Sequence, residues 1–227
     1  MIDLSLIWIL IIGLGVLIYV VLDGFDLGIG ILFPFISDRQ ERDVMMNTVA
    51  PVWDGNETWM VLGGAGLFAA FPLVYSTVLS ALYMPIILMV IALIFRGVAF
   101  EFRFKANKTK HLWDQAFIWG SILSSFFQGL ILGAYIQGIE TTNGIYTGGG
   151  LDWLTPFSLF TGLSVVVLYA TLGCGWLIFK TEKMLQNRMF ELMPKLLISL
   201  LMIFACVSIY TPLAHPQIAE RWFSQPQ

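Results

Sequence analysis

Charge is scarce in this chain. Asp, Glu, Lys and Arg supply 12% of its 227 residues, about half the share carried by a soluble domain, which rules out an ordinary soluble globular protein. Basic residues are also few, 12 against 15 acidic ones. That argues against a nucleic-acid partner, whose recognition needs a clustered cationic face to displace phosphate counterions. Cysteine is limited to Cys174 and Cys206, each within a long apolar run. Neither a disulfide nor a metal site has support, and both thiols read as small apolar packing residues. The two histidines, His111 in a basic stretch and His215 near the C-terminal end, lie outside every apolar run. A haem within the membrane takes axial ligands there, usually His and sometimes Met or Cys, so this chain alone is a poor holder of a redox centre. What is abundant is apolar: 58% of the residues, with a mean hydropathy of +0.81. At about 20 residues per membrane crossing, the length has room for about six.

The apolar runs predict spans near Leu6–Leu22 (continuing toward Phe35), Trp53–Phe71, Thr77–Phe95, Trp113–Ile136, Pro156–Phe179 and Leu196–Tyr210. Basic residues test this count, because Lys and Arg gather in cytoplasmic connections. Arg39 and Arg42 follow the first span, Arg96 to Lys110 the third, and Lys180 to Lys195 the fifth; the second and fourth connections have none, and the tail has only Arg221. Dropping the glycine-rich second span would destroy the alternation. The expected fold class is therefore all-α, a polytopic transmembrane helix bundle of about six spanning helices with its N-terminus outside. Met1–Ser5 contains Asp3, no basic residue and no following small-x-small cleavage site, so the first helix reads as uncleaved. The segment Thr141–Gly150 reads as a flexible outer turn with no chemical role, since its glycine run lacks the strand, helix and lysine of a phosphate loop.

Several acids stand where lipid should exclude them. A carboxylate at mid-membrane costs roughly 2.5 to 3.5 kcal/mol on insertion scales. Asp23 and Asp26 are three apart and share one helix face, and Gly24 and Gly28 let another helix come close. Asp23 follows a long apolar run and is expected deep in the cytoplasmic half, with Asp26 about 4.5 Å nearer the cytoplasm. Asp54 and Glu57 open the second span on the same side, between Trp53 and Trp59. They read either as first-turn acids that satisfy free N–H groups and the helix dipole, or as the mouth of a proton intake that leads to Asp26 and Asp23. Arg96 ends the third apolar run and is expected partly buried against one of these carboxylates. Glu101 and Lys105 form an i, i+4 pair, ordinarily a solvated helix end. Gln128 can hydrogen-bond between helices.

Four stretches, Asp23–Gly30, Ala50–Trp59, Gly66–Pro72 and Phe95–Arg103, resemble in order the cytochrome bd quinol oxidase subunit II family, most of all its cyanide-insensitive branch. The resemblance covers the chain, but members of that family continue with further helices. It thus implies an N-terminal part: a first helical bundle over 1–140 carrying the acidic motifs, and the start of a second, cut short, over 141–227, with a surface left open where further helices would pack. It also implies a heterodimeric terminal oxidase of the bacterial inner membrane, embedded in the lipid bilayer, that oxidises a membrane quinol and reduces oxygen to water. The b-type and d-type haems would sit in subunit I, with no cofactor in this chain beyond a bound quinone or lipid, and with a small accessory subunit as a further partner. Its proton route maps onto Asp54 and on Asp23 or Asp26, and it carries no role onto Glu57. The residues themselves offer Arg96, Glu57 and Glu101 as candidate support, and no catalytic or metal-binding residue is expected in this chain. Two other readings stand beside it. One is a proton-coupled secondary transporter, against which no internal repeat of the acidic motifs is visible. The other is a purely structural membrane subunit.

Overall fold

The structure is a computed structural model that describes residues 4–214 and 216–224; Asp3 and His215 lie outside them. Eight helices occupy the described residues: α1 Leu4–Leu32, α2 Arg39–Asn47, α3 Trp53–Ala70, α4 Pro72–Arg103, α5 Lys110–Gln137, α6 Pro156–Lys180, α7 Lys183–Ala214 and α8 Pro216–Phe223. Pro34, which lacks an amide hydrogen, turns the end of α1 into the short 3-10 helix Phe33–Phe35. Asp38 caps α2, accepting from the Gln40 and Glu41 amides at 2.7 and 3.0 Å. A Thr155–Ser158 capping box with Pro156 in the first turn opens α6. Helix α4 kinks at Leu82, whose φ and ψ are −117° and 16°, one turn ahead of Pro85.

Five helices, α1 with its 3-10 extension, α4, α5, α6 and α7, are long and apolar enough to cross a membrane. The expected second span forms α3 within a residue of its predicted bounds, yet its polar first two turns keep it out of that set. It lies antiparallel to α1 between Ile12 and Asp26, since Gly66 lies against Ile12, Gly63 against Val16, and Asn56 against Asp26. The charged connections meet at one end of the bundle, where Arg103 pairs with Asp43 and Arg188 with Glu41. At the opposite end the segment after α5 is an ordered β-hairpin, β1 Thr141–Thr142 with β2 Ile145–Tyr146, rather than a flexible turn. Asn143 and Gly144, at φ 52° and 78°, make the two-residue turn that such a hairpin requires.

Glycine contacts set the helix spacing. Any Cβ on Gly28 would run into the Tyr169 carbonyl and the Gly173 amide of α6, and one on Gly24 would meet the Tyr169 ring at 2.9 Å. Gly120 of α5 likewise faces the backbone of Ala92 and Arg96 in α4. Helices α6, α3 and α5 pack on α1, with α4 set on α5, and nearly all of the buried residues of α1 lie in its second half, while Leu4 to Leu14 are largely exposed. Helix α7 packs on α6 through Leu185, Met189 and a Phe157–Tyr210 stack, and leaves Leu197, Leu201 and Phe204 open on its outer face. Cys174 is buried, its thiol directed at the Met189 carbonyl at 3.3 Å, whereas Cys206 faces outward.

Candidate functional site: a buried acid cluster

Because α1 presents Asp23 and Asp26 on one face, and α6 presses on its glycines from behind, both carboxyls are driven into the bundle against α3 and α4. Each is fully buried. Arg96, also fully buried, reaches from α4 with one Nη to Asp23 Oδ1 at 2.5 Å and with the other to Glu57 Oε2 at 2.7 Å. Asn56 Nδ2 donates to Asp26 Oδ2 at 2.8 Å. The Arg96 guanidinium lies 5.8 Å from the centre of the Trp53 ring, which itself stacks on Phe100 at 4.9 Å. Two carboxyl groups thus share one guanidinium while Asp26 is bonded to the neutral Asn56 amide, and Asp23 Oδ2, Asp26 Oδ1 and Arg96 Nε remain without hydrogen-bond partners among the described residues. Removing an ion from water costs several kcal/mol even after relaxation, so a cluster this incompletely paired is a stronger functional signal than a saturated one.

The predicted residues do not all meet. Asp23, Asp26, Arg96 and Glu57 converge. Asp54 stays exposed in the first turn of α3, one helical turn from Glu57; the N-cap of that helix is Val52 and makes no side-chain cap bond. Glu57 is tied to Arg96 rather than to the helix start. Glu101 is exposed and pairs only with Lys105, at 3.4 Å, away from the cluster. Gln128 does bridge helices, donating to Tyr19 Oη at 2.8 Å and accepting from the Tyr169 hydroxyl at 2.7 Å.

Sequence reasoning missed Asn56, which sits between the singled-out Asp54 and Glu57. It also missed a second ionic group at the charged end. There Arg103, fully buried, bonds Asp114 at 2.5 Å and Asp43 at 2.6 Å; Lys110 reaches Asp43 at 2.8 Å and Arg42 reaches Asp114 at 3.2 Å. Phe33 lies under both the Arg42 and Arg103 guanidinia. Partial burial raises the Asp43 carboxyl, but Lys110 and Arg103 outweigh it and hold the group below the usual carboxylate range. The sequence signal was available: Asp114 opens an apolar span just as Asp54 nearly does.

His111 is exposed at the first turn of α5, so no described imidazole lies inside a span, and the buried sulfurs of Met45, Met46, Met189 and Cys174 are packed within the hydrophobic core. Chemically, the cluster offers carboxyl groups that can bind and release protons beside a fixed positive charge.

The family model for cytochrome bd terminal oxidase subunit II matches residues 4–223. The chain is 36% identical over 193 residues to the cytochrome bd-I ubiquinol oxidase subunit 2 of Escherichia coli K12, covering 82% of this chain and 51% of that protein. It is 35% identical over 189 residues to the probable cytochrome oxidase subunit 2 of Haemophilus influenzae, covering 80% and 50%. To the cytochrome bd ubiquinol oxidase subunit 2 of Bacillus subtilis it is 32% identical over 211 residues, covering 89% and 62%. The chain spans about half the length of the first two relatives.

Proposed function

From the premise that this multi-pass membrane chain belongs to the cytochrome bd terminal oxidase subunit II family, we propose that it serves as the haem-free subunit of a quinol:oxygen oxidoreductase and conducts protons to it from the cytoplasm. The redox chemistry, in which a membrane quinol is oxidised and oxygen reduced to water, belongs to a haem-bearing subunit I in the bacterial inner membrane. The N-terminus lies outside, which places the Arg103 group and Asp54 at the cytoplasmic face. The observation that carries the reading is the graded burial of the carboxyls: exposed Asp54, half-buried Glu57, then fully buried Asp23 and Asp26. Arg96 bridges Glu57 and Asp23 and offsets the negative charge left behind when a carboxyl releases its proton.

The test is quinol-driven oxygen uptake and proton uptake by the assembled complex carrying Asp54→Asn or Asp23→Asn. Loss of both activities with an intact haem spectrum supports conduction. Unchanged turnover in Asp54→Asn removes it from the route. A second reading, that the acids are a structural clamp, is favoured by the double pairing of Arg96 and predicts that Asp23→Asn abolishes haem incorporation rather than turnover.

A further inference from the structure

On the α5 and α6 side of Asp23 lies a second polar group that the proposed route does not use. Tyr169 donates its hydroxyl hydrogen to Gln128 Oε1 at 2.7 Å, and Gln128 Nε2 donates to Tyr19 Oη at 2.8 Å and to Ser124 Oγ at 3.2 Å. Tyr19 and Tyr169 are 5% and 1% exposed, so water is not available to complete their bonding. Donors and acceptors can then be counted. Gln128 has spent both amide hydrogens and its carbonyl, and Tyr169 has spent its hydrogen. Tyr19 accepts at Oη and keeps its own O–H unspent. One turn along the same face of α1, Asp23 has Oδ1 committed to Arg96 and Oδ2 without a hydrogen bond. The Tyr19 hydroxyl lies within interaction range of that carboxyl.

One free donor therefore stands beside one free acceptor in an apolar medium, where an unmade bond is costly and a charge-assisted bond is strong. We infer that Tyr19, aimed by Gln128, is a positioning residue for Asp23: its O–H holds the carboxyl oxygen that Arg96 leaves open. The titratable groups facing Asp23 are Arg96 from α4, Glu57 from α3, Tyr169 from α6, and Tyr19 and Asp26 from α1. α5 contributes the neutral amide of Gln128. Between Gly13 and Leu32, Tyr19 is the one hydroxyl-bearing residue in a run otherwise made of aliphatic residues, glycines, Phe25 and the two acids.

The functional consequence rests on the reading of Asp23 as a proton carrier, and two measurements on the assembled oxidase keep the two apart. The first is oxygen uptake against pH. Tyr19→Phe, with an intact haem spectrum, moves the half-maximal pH by on the order of one unit, the worth of one hydrogen bond to a charged group, and Gln128→Met moves it in the same direction by less. The second is a thermal-stability cycle of Tyr19→Phe, Asp23→Asn and the double variant, in which the double melts close to Asp23→Asn alone. Additive losses of stability overturn the inference whatever Asp23→Asn does to turnover. An unmoved pH profile in an oxidase that Asp23→Asn inactivates overturns it as well. Wild-type turnover in Asp23→Asn overturns the proton route, while a non-additive cycle still supports Tyr19 as the residue that holds Asp23.

Discussion

Replacing Arg96 by methionine isolates the energetics of the buried cluster. Methionine keeps an unbranched stem and a good helix propensity in α4, so what disappears is the guanidinium. Its loss leaves Asp23, fully buried, with no cationic partner, and Glu57, whose side chain is 23% exposed, with water as a partial substitute. Removing one member of a fully buried ion pair costs about 3 to 5 kcal/mol. The contact over Trp53, 5.8 Å from the ring centre, adds roughly 1 kcal/mol, and the Glu57 pair adds less because solvent screens it. A total of about 4 to 6 kcal/mol corresponds to a fall in apparent melting temperature on the order of 10 to 20 °C, at roughly 2 to 4 °C per kcal/mol for a domain of this size. The assay is thermal denaturation of the detergent-solubilised complex, followed by haem absorbance and by loss of monodisperse protein. The decisive comparison is Arg96→Met/Asp23→Asn. If the penalty is an uncompensated charge, the double variant recovers most of the loss. A single variant within about 2 °C of wild type, or a double variant that is additively worse, would show that Arg96 and Asp23 are not energetically joined and that the charge argument fails.

Three further outcomes follow from the same geometry. Gly28→Ala forces α1 away from the α6 backbone and lowers complex stability by about 1 to 3 kcal/mol or more. Gly64→Ala, where an added Cβ meets nothing within 4 Å, is neutral or stabilising by up to about 1 kcal/mol, and parallel melting curves separate the two. The Asp43 carboxyl, held below its ordinary value by Lys110 and Arg103 against the effect of burial, stabilises the fold above its unfolded value near pH 4, and that contribution is lost as pH falls through the lower folded value. Acid titration of complex stability should therefore be less steep in Asp43→Asn. Gly144→Val, at φ 78°, strains the outer hairpin and increases proteolysis between Gly138 and Thr155 while leaving the haem spectrum unchanged.

Much of the bundle was visible in the sequence, since each span is long, apolar and marked at its ends by residues whose physics is local. Pro156 and Thr155 start α6, Pro34 ends α1, and the basic residues alternate with the outer connections. The alternation of basic residues calls for a crossing at α3, although its composition alone is too polar to mark one. The acids Asp23 and Asp26 stood out because lipid does not tolerate unexplained charge. Their partners did not stand out. Asn56 is unremarkable in a polar helix start, and Tyr19 and Tyr169 look like ordinary membrane aromatics. The Asp43–Arg103–Asp114 group joins residues from α2, α4 and α5 that no spacing rule connects.

The sequence by itself determined the apolar parts of six of the eight helices, which face of α1 carries the acids, and that those acids need an internal reason, because periodicity and the cost of charge in lipid are properties of neighbouring residues, whereas α2, α8 and the charged first turns of α7 carry no such apolar mark. Only the tertiary structure decided that Arg96 serves both Asp23 and Glu57, that Asn56 alone bonds Asp26, that Asp54 remains exposed, and that Glu101 is apart from the cluster. Those outcomes depend on how closely the helices approach. That distance is set by Gly24 and Gly28 meeting Tyr169 and Gly173 across a crossing whose two sides lie some 140 residues apart in the chain.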